Sequence, residues 1–139
     1  MSGENDLSLG NKRVLLVDDE PRIRATMPLV LRKYGFDVAV AATVQEAFDK
    51  IQSQHFDLLL CDLNIDRVGD GFRVVRAMRD VNPQCVAIII TGYPSLETAI
   101  GGIHHALDDY VLKPTNTNAL IATMREHLMA KRPGNNLPI

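Results

Sequence analysis

The sequence contains no tryptophan, and aromatic side chains make up only 5% of its 139 residues. Cysteine is also scarce: Cys61 and Cys85 lie inside separate apolar runs, without the paired spacing of a zinc-binding motif. Cysteines of this kind are usually buried, reduced thiols in a protein of a reducing compartment. The sequence therefore argues against a structural zinc site and against a disulfide framework.

Long apolar runs and dense runs of basic residues are missing as well. No apolar stretch approaches the length of a membrane span, and residues 1–11 lack the basic start and apolar centre of a signal peptide. The 15 basic and 17 acidic residues give a formal charge of −2, and no dense basic run is present that would bind a phosphate backbone. We expect a cytoplasmic protein that neither crosses a membrane nor binds nucleic acid directly.

The apolar residues are sufficient for one well-buried core. They make up 46% of the chain, which is long enough for one domain and too short for two ordinary ones. We predict a flexible N-terminal segment at residues 1–11 and a folded domain at residues 12–131. Residues 132–139 are rich in proline and glycine and are predicted to form a tail or linker stub.

Short apolar runs rich in β-branched residues predict five strands, and segments with helical spacing between and after them predict five helices. The predicted strands are Val14–Val17, Val38–Ala41, Leu58–Cys61, Val86–Ile90 and Tyr110–Leu112. The apolar stripes of the helices begin at Ile23, Val44, Phe72, Leu96 and Leu120. Alternating helices and strands, with strands that are apolar throughout, are typical of a parallel sheet covered on both faces. We therefore predict a single doubly wound α/β domain of three layers.

Local signals mark two helix starts and two imperfect helices. Thr43, followed three residues later by Glu46, has the pattern of a capping box, and Asn116 is placed to cap the last helix. Pro28 lies inside the first predicted helix, and residues 101–102 place two glycines in the fourth. These residues predict where the helices begin and where their geometry is least ideal.

Polar side chains recur directly after the predicted strands. Asp18 and Asp19 follow the first strand, Asp62 follows the third, Thr91 closes the fourth, and Lys113 follows the fifth. The carboxyl ends of parallel strands share one edge of a sheet, and ligands of such sheets bind in the crevice outside that edge. We therefore expect these five side chains to converge on one pocket.

Carboxylates crowded into one pocket repel one another unless a cation lies among them or some are protonated. Oxygen ligands in a small open site favour Mg²⁺, which takes one or two carboxylates together with phosphate oxygens. Such an ion would neutralise a phosphoryl group near Asp62, which makes Asp62 a candidate nucleophile that forms an aspartyl phosphate. Lys113 would supply a compact positive charge, and Thr91 would offer a hydroxyl to one phosphoryl oxygen.

Four sequence runs at these strand ends resemble, in order and separation, the signature blocks of response-regulator receiver domains of two-component signalling, such as the chemotaxis regulators. The runs are VLLVDDE at 14–20, LLLCD at 58–62, IIITGY at 88–93 and DYVLKP at 109–114. The resemblance extends from Arg13 to Lys131 and implies a five-stranded parallel sheet with the flavodoxin-like order 2-1-3-4-5.

The resemblance implies a magnesium site at the first and third strand ends. Asp18 and Asp19 would form the acidic pair, with Asp19 the more direct ligand. Asp62 and the backbone carbonyl of Asn64 would complete the protein ligands. Asp62 would also carry the phosphoryl group, as 4-aspartylphosphate, and no organic cofactor is implied.

The resemblance further implies a phosphorylation-controlled switch, not an enzyme with turnover. A histidine kinase or phosphotransfer protein would phosphorylate Asp62 while Lys113 contacts the phosphoryl group, and the acceptance and loss of the group would be autocatalytic. Thr91 and Tyr110 would then move. The face made by the fourth helix, fifth strand and fifth helix would change its affinity for an effector domain, a partner protein or a second copy of the chain.

One segment departs from the family pattern. Asp62–Gly71 is one residue longer than usual and lacks the customary Met-Pro pair. The sequence therefore leaves open the geometry of the loop at residues 64–70.

Two other functions stay open at this point. A magnesium-dependent phosphatase would use Asp62 as its nucleophile, but it would be expected to carry a second aspartate where Asn64 stands. A receiver without chemistry would act as a constitutive scaffold, but the intact acidic residues, Thr91 and Lys113 argue against that function.

Simpler structural roles also apply to single residues. Asp18 and Asp19, taken alone, would more often cap a helix that begins near Pro21. Lys113, taken alone, would more often be a surface charge. Only their joint placement favours a functional site.

Overall fold

The computed structural model describes residues 11–92, 95, 107–113 and 116–131. All five predicted strands are present, each within one residue of its predicted bounds. The strands are β1 (Arg13–Val17), β2 (Asp37–Ala41), β3 (Leu58–Asp62), β4 (Val86–Thr91) and β5 (Asp109–Leu112). The helices of the described residues are α1 (Pro21–Lys33), α2 (Val44–Ser53), α3 (Asp70–Val81) and α4 (Thr117–Ala130).

Some predictions fall outside the described residues. These are the fourth predicted helix, with its glycine pair at 101–102, and most of the two terminal segments, at residues 1–10 and 132–139. The helix α4 named here therefore corresponds to the fifth predicted helix.

The sheet confirms the predicted fold class. Its five strands are parallel and have the order β2-β1-β3-β4-β5. The register aligns the carboxyl ends: Val17 of β1 is opposite Cys61 of β3, and Asp62 of β3 is opposite Ile90 of β4. Each residue that follows one of these strands therefore emerges at the same edge.

Helices cover both faces of the sheet because successive side chains of a strand point to opposite faces. Leu15 packs into the cluster under α2 and α3, whereas the next residue, Leu16, packs into the cluster under α1 and α4. Both faces are apolar, which explains why the strands are apolar throughout. Full burial of one such leucine stabilises the fold by about 1.5–3 kcal/mol.

The side chains that were predicted to cap helices do so at the start of two helices, α2 and α4. The Thr43 hydroxyl accepts from the backbone N–H of Glu46 at 3.1 Å, and the Glu46 carboxylate accepts from the N–H of Ala42 at 2.8 Å. Asn116 caps α4 by accepting from the N–H of Ala119 at 3.0 Å. These bonds satisfy N–H groups that the first helical turn leaves without partners.

Pro28 is buried inside α1, and the helix continues through it to Lys33. Tertiary packing of the apolar stripe thus outweighs the cost of the proline. Within the described part of the chain, no helix combines the length and the hydrophobicity that a bilayer crossing requires.

Candidate functional site

Four of the five polar side chains that were expected to converge, those of Asp18, Asp19, Asp62 and Lys113, line a cleft at the carboxyl edge of the sheet, whereas Thr91 is not among the lining residues. The cleft has a volume of about 750 Å³. Its polar wall is formed by the ends of β1, β3 and β5, and its apolar wall by side chains of α1 and the sheet. The lining residues include Asp18, Asp19, Asp62, Asn64 and Lys113 on the polar side and Leu16, Ile23, Met27, Leu60 and Ile90 on the apolar side.

Three carboxylates meet in this cleft, as predicted. Asp18, Asp19 and Asp62 each place an oxygen within 4.8 Å of the other two. The Asp18 side chain is buried, Asp62 is half-buried and Asp19 is exposed. At such distances the charges repel unless a cation or a proton compensates them.

The β1–α1 turn holds Asp18 in this position. Its Oδ1 accepts from the backbone N–H of Glu20 at 2.9 Å, and Glu20, not an aspartate, is the N-cap residue of α1. The Arg24 guanidinium of α1 donates to the Asp18 backbone carbonyl at 3.0 Å. The simpler role of Asp18 and Asp19 as helix caps is therefore not observed, because the acidic pair is turned toward the cleft.

Lys113 is the cation that reaches these carboxylates. Its Nζ lies 2.9 Å from Oδ2 of Asp18 and 3.3 Å from Oδ2 of Asp62. Its backbone N–H donates to the Thr91 carbonyl at 2.8 Å, which ties the residue after β5 to the end of β4. Lys113 is thus part of the site and not an isolated surface charge.

Burial and charge shift the pKa values of two of these groups. Burial raises the pKa of the Asp62 carboxyl, with Asp18 adding to the effect and Lys113 opposing it. The pKa of Lys113 is also raised, because its bonds to the carboxylates of Asp18 and Asp62 outweigh the opposing effect of burial. The site thus stabilises the ammonium and penalises the Asp62 carboxylate.

Internal hydrogen bonds order the loop whose geometry the sequence left open. The Asn64 amide oxygen accepts from the N–H of Gly69 at 2.9 Å, and the Asp70 carboxylate accepts from the N–H of Arg67 at 2.8 Å. Oδ1 of Asp62 accepts from the N–H of Asn64 at 3.4 Å. The extra residue is therefore absorbed in a closed loop that leaves Asn64 on the cleft wall.

Neither predicted switch residue is among the described residues that line the cleft. Thr91, the last residue of β4, is fully buried. Tyr110 on β5 is half-buried and packs against the cluster under α2 and α3. Their movement stays a prediction.

Both cysteines are buried and free, as predicted. Burial is the main reason why the pKa of Cys61 is raised well above its usual range and that of Cys85 is raised to about 12. Neither thiol therefore has the thiolate character of a nucleophile at neutral pH.

Two residues at the site were missed by the sequence prediction. Arg24 gives no signal beyond a basic residue in a helix, and Gly71 was noted only as part of a loop of unusual length. In the structure, Arg24 bonds to Asp18, and Gly71 packs directly on the backbone of Asp62.

Comparison with known proteins agrees with this site and fold. The family model described as the response regulator receiver domain matches residues 14–125. The transcriptional regulatory protein ZraR of Escherichia coli K12 is 32% identical over 118 residues, which cover 85% of this chain and 26% of ZraR. The photosynthetic apparatus regulatory protein RegA of Rhodobacter capsulatus is 32% identical over 127 residues, which cover 88% of this chain and 68% of RegA.

A solved structure, the CheY-like response regulator receiver domain protein of Methanospirillum hungatei JF-1, superposes with a TM-score of 0.83 at 30% identity. The superposition covers 88% of this chain and 97% of the other. The chain spans about a quarter of the length of ZraR. Since the family match covers most of the folded domain and the solved relative shares its topology, this chain belongs to the response regulator receiver domains of two-component signalling, whose general function is to accept a phosphoryl group.

Proposed function

We propose that Asp62 is the phosphoryl acceptor of this receiver domain and that the reaction depends on Mg²⁺. One observation carries the proposal: the Asp62 carboxylate lies between two other carboxylates, within 4.8 Å, and the Lys113 ammonium, at 3.3 Å. This arrangement places a nucleophile beside groups suited to a metal ion and to phosphoryl oxygens.

The donor set fits Mg²⁺. Asp18, Asp19, Asp62 and the backbone carbonyl of Asn64 would hold the ion, and all of them offer oxygen. Four carboxylates, those of Asp18, Asp19, Glu20 and Asp62, line the cleft with one ammonium, that of Lys113, among the described residues, so negative charge is left for a divalent cation to balance. When bound, the ion would neutralise charge between the carboxylates and an incoming phosphoryl group.

The protein's own groups would then position the transfer. An oxygen of Asp62 forms a bond to phosphorus while the bond from phosphorus to the donor breaks, and the electron pair of that bond leaves with the donor. Lys113 can contact a phosphoryl oxygen from its place between Asp18 and Asp62. Phosphoryl transfer needs little beyond such positioning and charge stabilisation, so the domain accepts and loses the group without acting as an enzyme on a separate substrate.

The signalling role follows from the family. A histidine kinase or phosphotransfer protein in the cytoplasm would supply the group. Thr91 and Tyr110 would change position in response. The surface built by the fourth predicted helix, β5 and α4 would then bind an effector domain, a partner protein or a second copy of the chain.

Intact mass after incubation with acetyl phosphate and Mg²⁺ tests this proposal. We expect the wild type and Asp80→Asn, which changes an exposed aspartate of α3, to gain one phosphoryl group, and Asp62→Asn to gain none. Chelation of Mg²⁺ should abolish the gain. Labelling of Asp62→Asn, or labelling without metal, would refute the proposal.

The same samples distinguish the phosphatase alternative. A receiver releases one equivalent of acetate in a first turnover and then only at the rate at which its acyl phosphate is lost. Continued rapid hydrolysis of an added phosphomonoester that requires Asp62 would favour the phosphatase.

A further inference from the structure

We propose that Gly71 is a positioning residue for the phosphoryl acceptor. Because it has no side chain, the backbone of α3 can pack directly against that of Asp62, and this contact keeps Asp62 within reach of Lys113. The inference rests on the proposed function of Asp62. Gly71 is the second residue of α3 and is buried against the end of β3.

The backbones of α3 and β3 meet at this glycine. A Cβ atom at Gly71 would lie 2.5 Å from the Asp62 carbonyl oxygen, 2.8 Å from the Leu63 Cα and 3.0 Å from the Ile89 Cδ1. The two shortest contacts are to main-chain atoms, which cannot rotate away as a side chain can. The Gly71 N–H also donates to the Leu63 carbonyl at 2.7 Å. Glycine is required here for space and not for an unusual backbone angle.

Neither element can retreat as a whole from an added methyl group. Fully or almost fully buried side chains of α3, at Val74, Val75 and Met78, hold the helix in the core. On the other side, β3 pairs with both β1 and β4. The displacement would therefore fall on the junction of Asp62 and Leu63, where the strand pairing ends.

The contacts of the acceptor allow little displacement. Its carboxylate lies 3.3 Å from the Lys113 Nζ and 3.4 Å from the Asn64 nitrogen, both near the upper limit of a hydrogen bond. A shift of a few tenths of an ångström would break them. Misplacement of a reacting group by about 1 Å can lower a rate by as much as 100-fold.

Gly35 provides a matched control. It lies in the turn between α1 and β2 with a φ of +96°, and a Cβ atom there would contact nothing within 4 Å. Gly35→Ala therefore destabilises the fold through backbone strain, far from the cleft, whereas Gly71→Ala acts through a collision at the acceptor.

The experiment measures single-turnover labelling of the full chain by acetyl phosphate, with acetyl phosphate and Mg²⁺ each raised to saturation. We expect Gly71→Ala to lower the maximal rate at least about tenfold with little change in the half-saturating acetyl phosphate concentration. Gly35→Ala should stay within about twofold of the wild type. In ¹⁵N-labelled protein, the amide resonance of Asn64 should move in Gly71→Ala and not in Gly35→Ala.

Several results would overturn the inference. One is a maximal labelling rate for Gly71→Ala that equals that of the wild type. Another is an equal loss of rate in Gly35→Ala, and a third is full recovery of the Gly71→Ala rate at saturating acetyl phosphate. Unfolding of Gly71→Ala that about 1 M trimethylamine N-oxide does not reverse would assign the glycine to stability alone. Absence of labelling in the wild type would instead refute the proposed function, and the positioning role with it.

Discussion

The two ends of the β-sheet both carry partly buried charge, but they compensate it differently. At the amino end, the Asp108 carboxylate accepts from the N–H of Ala87 at 2.8 Å and pairs with Arg79 at 3.0 Å and Lys131 at 3.4 Å. One carboxylate therefore has three donors there. It connects the start of β4 to the last turn of α3 and to the residue that follows α4.

The carboxyl end has the opposite balance. Asp18, Asp19 and Asp62 lie together, and Lys113, which supplies the one ammonium among the described residues that line the cleft, pairs with Asp18 and Asp62. Asp108 is thus well compensated at one end, whereas negative charge is left in excess at the other, as is common at functional sites. We therefore expect the amino end to contribute to stability and the carboxyl end to bind a cation and an anionic group.

The largest expected effect is on labelling and tests the carboxyl end. Lys113→Met should lower the rate of phosphoryl labelling by acetyl phosphate about 100-fold, because the developing charge loses its fixed cation. Lys131→Met, the matched change at the amino end, should leave the rate within about twofold. The rates are measured by intact mass over time. Equal rates for the two variants would remove the functional distinction between the ends.

The next effect is on stability and tests the amino end. Asp108→Ala should lower the free energy of unfolding by about 2–3 kcal/mol, because Arg79 and the Ala87 N–H lose their partner in a largely buried position. The exposed Asp80→Ala should change stability by less than about 0.5 kcal/mol. Urea denaturation provides both values. An unchanged free energy of unfolding in Asp108→Ala would contradict the structural role of the amino end. So would slow phosphoryl labelling of the folded variant.

A smaller effect concerns the metal. Mg²⁺ at tenfold above its dissociation constant should raise the free energy of unfolding by about 1.4 kcal/mol, because we expect it to bind only the folded site. Asp19→Asn should weaken this gain, whereas Asp37→Asn, an exposed carboxylate at the amino end, should not. Thermal melting in a Mg²⁺ titration measures the gain. If Mg²⁺ stabilised Asp19→Asn and Asp37→Asn equally, the ion would not bind at Asp19.

The smallest effect is a pH dependence. The pKa of Asp62 in the folded protein is raised above its ordinary value of 3.8, so its ionised form destabilises the fold. This penalty is absent below pH 3.8 and is fully present above the raised pKa. Without metal, Asp62→Asn should therefore match the wild type in acid and become relatively more stable as the pH rises toward neutrality. Denaturation of both proteins across this range is the measurement, and a constant difference would contradict it.

The contribution of Lys113 to stability should depend on pH with the opposite sign. Its raised pKa means that it contributes stability below its ordinary value of 10.5, and that this contribution is lost as the pH rises through the raised value. The comparison of Lys113→Met with the wild type in alkaline denaturation detects this loss. If the difference in stability between Lys113→Met and the wild type did not become smaller at high pH, the ammonium would not be held as the structure indicates.

Much of the fold was predictable from local patterns. Each strand is a short apolar run, and the parallel arrangement follows from its alternation with helical segments. The edge at which Asp18, Asp62 and Lys113 meet then follows from the topology alone, because each residue ends a strand or comes directly after one. Strand bounds differed by one residue where a polar residue, such as Asp37 or Asp62, continues the pairing beyond the apolar run.

Other features depend on contacts that a linear pattern does not contain. The loop after β3 is closed by bonds from Gly69 to Asn64 and from Arg67 to Asp70, each decided by side-chain reach within a few residues. Arg24 bonds to a backbone carbonyl, which leaves no signal in the residue types. The burial of Thr91 is a property of the packed sheet end and not of the threonine itself.

The Lys113–Asp18 pair joins residues 95 positions apart, and this separation orders events in time. During synthesis the acidic residues leave the ribosome long before the lysine that pairs with them, and β5 is the last of the described strands to leave it. A nascent or truncated chain that ends before β5 therefore has the carboxylates without their ammonium. Since Lys113 is expected to contact the phosphoryl group, such a chain should not be phosphorylated at the wild-type rate even where its acidic residues are already in place.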